Sequence, residues 1–179
     1  MKTIDTYIIE KLVINKKVEK QKKIYQPTSK EELRTIIEKL LEERKRNANL
    51  NDIDTSKITD MSELFKDLNI GKINISSWDV SNVTNMHGMF RNCRNFNCDL
   101  SSWDVSNVED MQTMFFDCPK FEAVGLDSWN VSKVKNMIAM FSGCRMAKAD
   151  IEKWDISSLE NHKWMLTNSG IKKPSWYKG

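Results

Sequence analysis

Two histidines, four cysteines, a column of aspartates and a column of tryptophans are the residues here whose types could do chemistry. His87 and His162 are the candidates for acid–base work or metal ligation, yet neither has a carboxylate or cysteine at ligand spacing around it. Cys93, Cys98, Cys118 and Cys144 lack the paired CxxC spacing of a zinc site and are too sparse for a disulfide framework. Asp54, Asp79, Asp104 and Asp155, with Asn130 in the same column, could hold calcium between stacked carboxylates. Each stands two residues before a serine, however, where Asx turns form, and the glycine-rich nonapeptide of calcium-binding repeats is absent. No Walker motif, GxGxxG, GxSxG or HExxH occurs. The expectation is a chain without catalytic residues, metal or cofactor.

The elements that position these residues follow from an internal repeat. Trp78, Trp103, Trp129 and Trp154 are spaced by 25, 26 and 25 residues. They head the blocks WDVSNVTNMHGMF, WDVSNVEDMQTMF, WNVSKVKNMIAMF and WDISSLENHKWML, and IDTSKITDMSELF from Ile53 is a fifth copy without its tryptophan. Within a copy Val83, Met86, Met89 and Phe90 fall at helical spacing, and Ser81, Ser106, Ser132 and Ser157 are helix-capping residues, which predicts one short helix per copy. The period then becomes two. Gly71, Ile73 and Ile75, then Phe96, Cys98 and Leu100, then Ala147, Ala149 and Ile151 alternate with polar residues, which predicts a short strand. One extra residue in the third full copy predicts a bulge near Val124 and Gly125.

A unit of 25 residues cannot bury its apolar stripe alone, but stacked units share a core. The fold class expected is therefore α/β, a short right-handed leucine-rich-repeat-like solenoid of about five strand–helix coils with an α-helical amino-terminal cap. Its organisation is a basic segment and capping helix over 1–50, the repeats over 51–171 and a cap tail over 172–179. The capping helix is placed from about Lys30 to Arg46 by the Thr28/Glu31 and Ser29/Glu32 capping boxes and the stripe Leu33, Ile36, Ile37, Leu40 and Leu41. Tyr7 to Ile14 forms a short helix or an edge strand nearby. Like residues should form ladders, with methionines 61, 86, 111, 137 and 89, 114, 140, 165 inside. The tryptophan column, which could stack on glycans or bases, is invariant and flanked by Val80, Val105, Val131 and Ile156, so burial is expected.

The blocks WDVSNVTNMHGMF and RNCRNFNCDLSSWDVSNV resemble the BspA-like leucine-rich-repeat surface proteins, over about residues 51 to 171. That resemblance implies a leucine-rich-repeat-like fold and a binding or adhesion role, with no catalytic residues to carry over.

What varies between copies is the outward side of the strands. Lys72, Asn74, Asn97, Asp99, Glu122, Lys148 and Asp150 should project there, and Trp164, on the outer side of the last helix, is the best single aromatic anchor. Mixed charge signs on that face suit a protein partner. The alternative partner is nucleic acid, through Lys16, Lys17, Lys20, Lys22 and Lys23, where the basic excess of the first 50 residues is concentrated. A second copy pairing weakly through an exposed edge is a further candidate. No apolar run approaches the roughly 20 residues that span a bilayer, and no signal peptide is visible, so a cytoplasmic protein is expected; the BspA-like resemblance implies a bacterial or phage type, with a surface adhesin as the remaining alternative.

Overall fold

The computed structural model describes residues 23–45 and 47–178. Tyr7 to Ile14, and the lysines at 16, 17, 20 and 22, lie outside the described residues. One α-helix, α1 (Lys30–Arg44), precedes five stacked coils, and the only other helical piece among the described residues is a 3₁₀ turn at Leu126–Ser128. α1 starts where the sequence places it. Ser29 Oγ accepts from the Glu32 amide at 3.2 Å, and the Glu32 carboxylate accepts from the Thr28 amide at 2.8 Å. Leu33, Ile37 and Leu40 are its buried stripe. The helix ends two residues before the expected Arg46, at a left-handed Lys45.

The strand–helix coil is not what the chain builds. Apart from that 3₁₀ turn, the coils contain no strand or helix among the described residues, and their sheet-like pairings there are isolated parallel bridges such as Asp60↔Asn85↔Asp110↔Asn136↔Asn161. The α/β solenoid is thus overturned in its elements. Each coil is a run of turns closed by bonds from one amide to the carbonyl three residues earlier, for instance Val83 to Val80, Met89 to Met86, Arg91 to Gly88, Cys93 to Phe90 and Phe96 to Cys93.

The physical reason lies in two left-handed positions that recur in every coil, to which one coil adds Ala123 (φ 58°) and Gly125 (φ 80°). Glu63, Gly88, Thr113, Ala139 and Trp164 have φ between 50 and 58°, and Asp67, Asn92, Asp117, Gly143 and Asn168 have φ between 52 and 82°. A left-handed residue cannot continue a right-handed helix. The freed amides pair with the next coil instead. Met86, Gly88, Phe90 and Asn92 donate to Asp110, Gln112, Met114 and Phe116 at 2.8–2.9 Å, and the pattern repeats from coil to coil. The serines expected to cap helices sit in Asx turns, their amides donating to Asp79, Asp104, Asn130 and Asp155 two residues earlier.

In-register stacking puts like on like. Phe65, Phe90, Phe115 and Phe141 stack with ring centroids 5.3–5.6 Å apart, and Trp78 lies over Trp103 at 6.5 Å and 2°. The eight ladder methionines are all fully buried. Alternation after each turn run also holds without a strand. Gly71, Ile73 and Ile75 are buried while Lys72 and Asn74 are exposed. The inserted residue is absorbed by the 3₁₀ turn after Gly125 (φ 80°) rather than by a strand bulge.

Candidate functional site

The exposed column is the first candidate. Lys72, Asn97, Glu122 and Lys148 occupy equivalent places in successive coils, tied by backbone bonds from Asn97 to Gly71 and from Lys148 to Glu122. Asn97 Nδ2 donates to Glu122 Oε1 at 2.9 Å, and the Glu122 amide donates back to Asn97 Oδ1 at 3.2 Å. This reciprocal pair fixes the middle of the column and leaves both lysines exposed at its ends. Beside it run Asn74, Asp99 and Asp150, each exposed and each accepting from the amide two residues on. Hydrogen bonding to Ser101 holds the Asp99 carboxyl below its ordinary value, so it stays a fixed negative charge.

Val124, 57 % exposed, stands next to Glu122 on this face and was missed by the sequence reading. The signal was present in the register, since Val124 stands 25 residues after Asp99 and 26 before Asp150. Trp164 belongs to a different run of the coil, where the expected outer helix is replaced by turns. It is 66 % exposed and borders a hollow shared with His162, Lys163, Lys173 and Tyr177. The structure brings together the seven column residues on one face and leaves Trp164 on another run of the coil.

Lys23 is the one lysine of the basic cluster among the described residues. Its ammonium donates to the carbonyls of Asn51, Ile53 and Ser77 at 2.9, 3.0 and 3.2 Å, and burial lowers its pKa. It serves as a tie between coils.

The residues with chemical potential are otherwise engaged in the stack. The Cys93, Cys118 and Cys144 thiols donate to the carbonyls of Phe65, Phe90 and Phe115, each at 2.9 Å, and Cys98 donates to Ile73 at 2.9 Å. Burial pushes Cys93, Cys98 and Cys144 up to about 12 and Cys118 further up, so none is a ready nucleophile. Among the described residues no group of three or more His, Cys, Asp or Glu is placed to hold a metal ion. His162 fills a place in the methionine column against Tyr177, and His87 is half-buried. Among the described residues no helix is long and apolar enough to cross a membrane.

Two stretches of the repeat, residues 34–124 and 108–174, match the family model described as "Mycoplasma protein of unknown function, DUF285". The chain belongs to this DUF285 family. The two matches overlap at 108–124, as expected for one model laid twice on a periodic array, and together they take in the latter part of α1 and all five coils. No curated protein and no solved structure matches the chain.

Proposed function

We propose that this DUF285 chain is a non-enzymatic protein-binding module that takes its partner on the column Lys72, Asn97, Glu122 and Lys148, with Asn74, Asp99, Val124 and Asp150 beside it. The observation that carries the reading is the contrast between the two sides of one stretch of backbone. Residues 73, 98, 123 and 149 are all buried and all small or apolar, whereas the neighbours facing out are a lysine, an asparagine, a glutamate and a lysine. A repeated scaffold under an unrepeated, mixed-charge surface suits recognition of one protein, because rim charges of both signs select against wrong partners. The resemblance to BspA-like repeats supports a binding role in the same sense. The engagement of Lys23 with three carbonyls counts against the nucleic-acid alternative.

Affinity capture tests the reading, using the full chain and a triple variant Lys72→Glu, Glu122→Lys, Lys148→Glu with unchanged melting temperature. A partner recovered by the wild type and lost from the variant is the expected result. Equal recovery by both proteins would contradict the face assignment.

A further inference from the structure

Peptide geometry gives the stack a polarity. A trans peptide unit points its C=O and its N–H in opposite directions. In the units 110–111, 112–113, 114–115 and 116–117 the carbonyls accept from the preceding coil while the amides donate to Asn136, Ile138, Met140 and Ser142 of the following one. The same four columns run from the coil of Met61 to that of Asn161, at 2.8–3.0 Å throughout. Their dipoles add along the stack as they do along a helix, with the N–H end positive. A single column on this run, through Thr84, Glu109, Lys135 and Glu160, donates the other way.

The two poles differ in what meets them. At the carbonyl pole lies α1, whose Lys30 bonds the side chains of Asp60 and Ser62 at 3.0 and 2.8 Å and whose Arg34 donates to the Glu63 carbonyl, beside the four columns, at 2.9 Å. Positive charge meets a negative pole. At the other end the next amides of the four columns belong to His162, Trp164, Leu166 and Asn168, and none has an acceptor among the described residues. Among the described residues the hollow beside them is lined by Lys163, Lys173 and Lys178 and by no carboxylate. Positive charge there meets a positive pole. His162 Nδ1, buried at the same end, has no hydrogen-bond partner. Trp164 holds φ 58° with its indole mostly in solvent, at a position where the other coils have Glu, Gly, Thr and Ala.

We propose that this end of the stack is a docking edge for an acidic, extended segment of another protein, whose backbone carbonyls accept from the four-amide row and whose carboxylates meet Lys163, Lys173 and Lys178. Trp164 is its apolar anchor. The assignment rests on the protein-binding reading but uses a surface distinct from the Lys72–Lys148 column. A lone phosphate or carboxylate presents too few acceptors for four amides in a row, whereas alternate carbonyls of an extended chain supply them in sequence. A second copy offers no match, because α1 already lies on its carbonyl pole.

The test is a titration of the ¹⁵N-labelled full chain with an acetylated (Glu-Thr)₆ peptide, with oligothymidylate of the same length and inorganic phosphate alongside. The peptide should shift the amides of His162, Trp164, Leu166 and Asn168. Its affinity should fall at least about tenfold in Trp164→Ala, which copies Ala139 of the preceding coil, and in Lys163→Gln/Lys173→Gln/Lys178→Gln. The Lys72→Glu/Glu122→Lys/Lys148→Glu variant should bind the peptide unchanged. A row that stays silent at millimolar peptide overturns the edge assignment, even if a partner is captured through the column. Equal or tighter response of the row to phosphate or to oligothymidylate overturns it as well.

Discussion

The Trp103 indole donates its Nε1–H to the carbonyl of Ile75, at 3.2 Å and one coil back in the stack. Trp78, Trp129 and Trp154 make the same bond to Leu50, Leu100 and Leu126, and Trp176 of the carboxyl-terminal tail makes it to Ile151. The tail therefore continues the tryptophan column as a partial sixth coil. Trp103→Phe leaves a buried carbonyl without its donor and should cost about 2 kcal/mol in urea unfolding. Trp176→Phe, at a half-buried site, should cost less. Equal costs would show that the indole bond is not what the buried site demands.

The thiols should be silent in the native state. At pH 8 a disulfide reagent such as Ellman's should find none of Cys93, Cys98, Cys118 and Cys144 until denaturant is added, because all are buried and their pKa values are raised. The sign follows for alkaline stability. A thiol that ionises near its ordinary 9.0 when unfolded and near 12 when folded contributes stability that is intact below pH 9 and lost as the pH climbs toward 12. Cys93→Ala should flatten that alkaline decline.

Arg44 closes on Asp52 with two parallel bonds of 2.9 and 2.8 Å, joining the end of α1 to the first coil. This pairing holds the Asp52 carboxyl below its ordinary 3.8. Its contribution is present above pH 3.8 and is lost as the pH falls below it. Asp52→Asn should cost about 2 kcal/mol at pH 7 and should weaken the acid dependence of the melting temperature. An unchanged acid limb would mean that another carboxylate governs it.

Trp164→Gly should stabilise the fold by about 1 kcal/mol, since glycine already holds this left-handed position at Gly88 and the indole is mostly exposed. The same change should weaken binding of an acidic peptide at the edge. Stability gained without affinity lost would show that the indole has no partner there.

The repeat period, the buried ladders and the in-or-out alternation were legible in the sequence, because each is written by identical residue types recurring at 25 or 26 positions. The local structure was not. Apolar residues at offsets 0, 3, 6 and 7 mark a helical stripe, but successive turns with bonds spanning three residues place the same offsets inward. Of the left-handed column Glu63, Gly88, Thr113, Ala139 and Trp164 only the glycine advertises its conformation. The column Asp67, Asn92, Asp117, Gly143 and Asn168 is made wholly of types that tolerate it, and that was the available sign against a helix. The exposed column residues were found because they interrupt apolar alternation. The open amide row at the last coil was invisible, since backbone polarity leaves no trace in residue type.

Amide hydrogen exchange on the full chain, followed by NMR, tests most directly the claim that the coils are joined by one-way peptide bonds ending in an unfilled row. The amides of Met137, Ala139, Phe141 and Gly143 should be protected as strongly as the core, while those of His162, Trp164, Leu166 and Asn168 should exchange far faster, the exposed Trp164 and Asn168 fastest. Equal protection of the two rows in the free protein would contradict the account.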